Sequence, residues 1–118
     1  MLTQTHKRRK IVAKLHPSEI QRIKDFIQGS VYCFCKNCPD QWFAARDLFG
    51  GENYYWSGTP LLELYKWHEH NRSSDAVKMA GIDVGWLLLD VIDDDKRMFD
   101  LGEGFTHQYK WTGIEDNS

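Results

Sequence analysis

The chain has 118 residues, 42% hydrophobic and 27% charged, a globular composition that fits one domain around one core. No run of about 18 apolar residues exists, so no segment is expected to cross a membrane. Net charge is −2, but residues 1–24 hold seven basic groups against one acid, leaving −8 for the remainder.

The opening MLTQTHKRRK is polar and basic. No apolar stretch follows, so it is not expected to be a secretory signal. Residues 1–9 read as a flexible basic arm and 10–118 as a single globular domain. KIVAKL, residues 10–15, alternates, with Ile11, Ala13 and Leu15 on one face and Lys10, Val12 and Lys14 on the other, which predicts a half-buried strand. In HPSEIQRIKDFIQG, Pro17 fits the first helical position and Glu19 a capping-box acid. Ile20, Ile23 and Ile27 then line one helical face, with Gly29 as a stop.

VYCFCKNCPD, residues 31–40, carries all three cysteines. It reads equally as a strand or as a continuation of the helix past Gly29. QWFAARDLFGG suits a short helix ending at Gly50-Gly51, or a strand leading into one turn. ENYYWSG reads as a loop. Thr59 and Pro60 open a further helix, with Leu61, Leu64, Tyr65 and His68 on one face. Ser73 or Ser74 caps the next, whose stripe is Val77, Ala80, Val84, Leu87, Leu88 and Val91. Gly81 and Gly85 either admit a neighbouring backbone or divide this helix in two. Gly102-Glu103-Gly104 is a hairpin loop, followed by Phe105, His107, Tyr109 and Trp111 in strict alternation. The fold class is α+β: a mostly helical single domain with a small antiparallel sheet formed by the N-terminal strand and the C-terminal hairpin. Its aromatics, five of them Trp, are expected mainly in the core.

An odd, clustered set of cysteines argues against a secreted disulfide framework and for a cytoplasmic protein with reduced thiols. Cys33, Cys35 and Cys38 converge only if a strand ends near Cys35 and a turn brings Cys38 round. His68 would then complete four zinc ligands. Otherwise the sulfurs are buried filler and His68 a core histidine. A redox pair at Cys35 and Cys38 is disfavoured, because Pro39 prevents a helix from starting at Cys35 and continuing.

The leading expectation is a non-enzymatic binding module. Lys7, Arg8, Arg9, Lys10 and Lys14 would contact nucleic acid or an acidic protein partner. The acids Asp90, Asp93, Asp94, Asp95, Asp100 and Glu103 could instead receive the basic segment, within one chain or across a homodimer. A third expectation is a ligand pocket lined by Tyr54, Tyr55 and Trp56. No nucleophile elbow, phosphate-cradling glycine loop or persuasive carboxylate pair points to an enzyme. WFAARDLFG and DDDKR, 14 residues together, resemble pieces of the N-terminal domain of phage antirepressors in the same order, though more widely spaced. The resemblance slightly favours nucleic acid and assigns no functional residue.

Overall fold

Helix α1, Pro17–Asn37, starts where its sequence says it should. Glu19 reaches back to the His16 N–H, and the His16 ring accepts from the Ser18 N–H. The helix runs through Gly29 and carries Ile23, Ile27, Val31 and Cys35 into the core, one every four residues. An interior glycine costs about 1 kcal/mol. Burying Val31 and Cys35 beyond it outweighs that cost, at about 1.5–3 kcal/mol for a side chain of valine size. Cys38 closes the helix, its N–H on the Phe34 carbonyl, and Pro39 stops it.

The computed structural model describes residues 1–50, 56–104 and 106–115. After α1 come α2, Ala45–Phe49, α3, Leu62–His70, α4, Ala76–Asp94, and the strands β1, Arg97–Gly102, and β2, Gln108–Glu115. Asp47 holds the Ala44 N–H at the start of α2, and Gly50, at φ 90°, ends it. Thr59 does not cap α3. Its hydroxyl donates back to the Trp56 carbonyl, and the helix begins at Leu62. Asp75, rather than Ser73 or Ser74, caps α4 through the Lys78 N–H. Helix α4 is unbroken at Gly81 and Gly85, and neither glycine admits a close backbone: a Cβ built on either would meet nothing within 4 Å.

β1 and β2 form the expected antiparallel hairpin, with Leu101 opposite Tyr109 and Phe99 opposite Trp111. The N-terminal strand does not form. The alternation of residues 10–15 survives in burial, with Ala13 4% and Val12 50% exposed. The segment's partner, however, is a carboxylate: the Val12 and Ala13 N–H groups donate to Asp83 on α4. Polar backbone beside a core needs acceptors, and one buried carboxylate replaces a strand ladder. The N-terminus meets the sheet instead at Leu2, bridged to Phe99, while Phe43 bridges Tyr109 on the other edge. Both outer strand edges are thus partly covered.

The core joins the apolar stripes of α1, α3 and α4 to Phe43, Phe99 and Tyr109. The tryptophans are not at its centre. Trp42 is exposed, and Trp56, Trp67, Trp86 and Trp111 lie partly exposed around the core. Among the described residues no helix is long and apolar enough to cross a membrane.

Candidate functional site

The sequence-predicted residues separate into four places. The first is the basic segment. The N-terminal segment runs along β1 and turns back to the acidic end of α4, where Arg8 donates to Asp93 at 2.9 Å and Asp94 at 2.7 Å, with Asp90 at 3.6 Å. The bond to Asp94, then that to Asp93, holds the guanidinium more firmly protonated, against a cost of desolvation. Arg9 stacks over Trp86, 5.4 Å from its ring centre. Lys7, Lys10 and Lys14 are exposed and form no ion pair among the described residues. The charge complementarity between the two ends is therefore met in part within one chain.

The second is the cysteine cluster. Because α1 continues through it, Cys33 points to solvent and Cys35 into the core, while Cys38 sits at the helix end, half-buried. Burial pushes the Cys35 thiol up, countered by Arg97 and reinforced by Asp95. His68 lies elsewhere, on α3. The structure does not bring the four together: among the described residues they form no metal-binding group.

The third place holds His68 itself. It is fully buried, as is Asp83. His68 Nε2 meets Asp83 Oδ2 at 2.7 Å, and its Nδ1 meets the Ser73 hydroxyl at 2.7 Å. Asp83 also accepts the Val12 and Ala13 N–H groups at 2.9 and 3.1 Å. With three donors on that carboxylate, Nε2 carries the proton, and in the neutral ring Nδ1 accepts from Ser73. Serine, histidine and aspartate in series are the residue types of a nucleophilic triad. A base must nonetheless reach a substrate proton. His68 and Asp83 are wholly buried, and none of the three residues lines the groove between α2, α4 and the hairpin loop. The chain of bonds ties α3, α4 and residues 12–13 together as a structural node. Sequence reasoning misses Asp83 as a partner, yet its position carries a signal: it falls on the apolar stripe of α4, between Ala80 and Leu87.

The fourth is a groove of about 710 Å³ between α2, α4 and the hairpin loop. Ala45 and Phe49 line it from α2, Val77, Val84, Trp86 and Leu88 from α4, and Tyr109 from β2. Gly81 and Gly85 leave its α4 wall open, since no side chain among the described residues fills the space beside them. Its charged lining is Arg46 and Lys78, with His107 at the hairpin end and no carboxylate among the described lining residues. The Tyr109 hydroxyl is buried without a hydrogen-bond partner among the described residues. Burial, then the charge of Asp90, pushes its pKa up. Trp56 does not line this groove: its Nε1 donates to the Phe49 carbonyl at the end of α2. Tyr54 and Tyr55 lie outside the described residues.

Comparison with family models, with curated proteins and with solved structures finds no match. Function must be read from the four places above.

Proposed function

We propose that the protein is a non-enzymatic binding module that holds an apolar ligand bearing a negative charge in the groove between α2, α4 and the hairpin loop. The observation that carries this reading is the lining. A chain of net charge −2 presents an apolar groove whose only formal charges, among the described residues, are Arg46 and Lys78. The volume lies within the range of small-molecule sites, about 300–1,000 Å³. Apolar walls supply affinity and the cations select the sign of the head group. Tyr109 adds a buried aromatic ring to the wall on the β2 side.

Titration calorimetry with dodecanoate, dodecanol and dodecylammonium, all below their micelle concentrations, tests it. Dodecanoate should bind once per chain, the alcohol about tenfold more weakly, and the ammonium not at all. Arg46→Glu with Lys78→Glu should abolish the preference for the acid. Equal binding of all three, or no heat with any, would remove the proposal.

A second reading keeps the basic segment as a contact for nucleic acid or an acidic protein, in one chain or a homodimer. Exposed Lys7, Lys10 and Lys14, on one short stretch, favour it. Arg8 contributes least, because three carboxylates already surround it. Replacing the three lysines by alanine should then flatten the salt dependence of polyanion binding, while Arg8→Ala should leave the slope nearly unchanged.

A further inference from the structure

His6, Glu103 and His107 come from opposite ends of the chain and meet beside the hairpin loop. One donor atom from each lies within 4.8 Å of the other two. His6 Nε2 and Glu103 Oε1 are 3.4 Å apart. That is roughly the edge of a tetrahedron around zinc with bonds of about 2.1 Å. The His6 and His107 rings stand edge to face, 4.7 Å between centres at 79°. Trp86 packs against the His107 ring at 5.9 Å and 81°.

The orientation of His6 suits a metal. His6 Nδ1 lies 2.9 Å from the Lys7 carbonyl oxygen. The carbonyl accepts from Nδ1 and holds the ring with Nε2 towards Glu103. A ligating histidine is oriented in this way by a backbone carbonyl on its other nitrogen. We infer that His6, Glu103 and His107 form a binding site for one divalent transition-metal ion of the zinc type, with a fourth position open to water.

The donor set selects the class of ion. Two imidazoles and one carboxylate suit zinc, cobalt or nickel, whereas magnesium and calcium require more oxygen ligands. Glu103 is 64% exposed and His6 20%, so an ion reaches the site from solvent. Binding would tie the N-terminal segment to the hairpin loop and stabilise the folded chain. This site is distinct from the zinc alternative considered at the cysteines, and uses two histidines and a glutamate instead. The site shares His107 with the groove but does not depend on the groove proposal, and its probe is the metal alone.

The test uses the full chain without an affinity tag, titrated with zinc for melting temperature and with cobalt for visible absorption. One equivalent of zinc should raise the melting temperature by about 5 °C or more. Cobalt should give ligand-field bands without a thiolate charge-transfer band. His6→Gln, His107→Gln and Glu103→Gln should each weaken binding at least about tenfold. Cys33→Ser with Cys38→Ser should leave it intact. Glu103 is exposed, so its variant remains a fair test should a histidine variant fail to fold. No thermal shift, or binding that survives all three substitutions and disappears with the cysteines, would overturn the inference.

Discussion

Asp83 concentrates three long-range contacts of the fold on one buried side chain. Its carboxylate accepts two backbone N–H groups and the His68 ring with no solvent to replace them. Asp83→Ala leaves the Ala13 N–H and the His68 ring buried and unpaired, and should cost about 3–5 kcal/mol in urea unfolding. Tyr109 is the opposite case. Its hydroxyl is buried and unpartnered among the described residues, so Tyr109→Phe should leave stability at neutral pH unchanged or raise it by up to about 1 kcal/mol. The folded-state pKa of Tyr109 is raised, so its contribution is fully present below the unfolded value of about 10 and is lost as pH rises beyond it. Wild-type stability should therefore fall more steeply than that of Tyr109→Phe in alkaline unfolding series. Equal slopes would contradict the burial of the hydroxyl. If the same substitution also weakens dodecanoate binding, the residue sacrifices stability for ligand contact.

Helix α1 separates what local sequence decides from what packing decides. Its start is legible because Pro17 and Glu19 have only one good helical reading at those positions. Its end is not, because Gly29 and the alternating Val31, Cys33 and Cys35 fit both periods. Tertiary burial of Val31 and Cys35 decides between them. The same decision disperses the zinc ligands read from the cysteines. Thiol labelling should follow: Cys33 reacts at once, and Cys35 only on unfolding. In α4 the glycines are legible but their purpose is not. No backbone approaches them, so Gly85→Ala should stabilise the helix by about 0.8–1 kcal/mol, whereas a larger residue there should stabilise it and block the groove. Loss of stability in Gly85→Ala would mean that the space beside it is occupied.

At the scale of the whole molecule, the uneven charge read from the sequence has a structural outcome. The basic start folds onto the acidic end of α4, where Arg8 sits among Asp90, Asp93 and Asp94. That clamp is largely exposed, so Arg8→Ala should cost no more than about 1 kcal/mol, and less at high salt. The α+β class and the hairpin are readable from period alone. The N-terminal strand is misread, because alternation reports which side chains are buried and is silent on where backbone N–H groups go. The groove is also hidden. Ala45, Val77 and Gly85 are far apart in the sequence, and only the packing of α2 beside α4 sets them around one space. Of Tyr54, Tyr55 and Trp56, only Trp56 is among the described residues, and it bonds to the Phe49 carbonyl at the end of α2.

The most direct test of the binding proposal is a map of backbone amide shifts in labelled protein titrated with dodecanoate. The largest shifts should fall on residues 44–50, 77–86 and 106–109, the three walls of the groove. Shifts centred on Lys7–Lys14, or spread without a focus, would contradict a ligand site between α2, α4 and the hairpin loop.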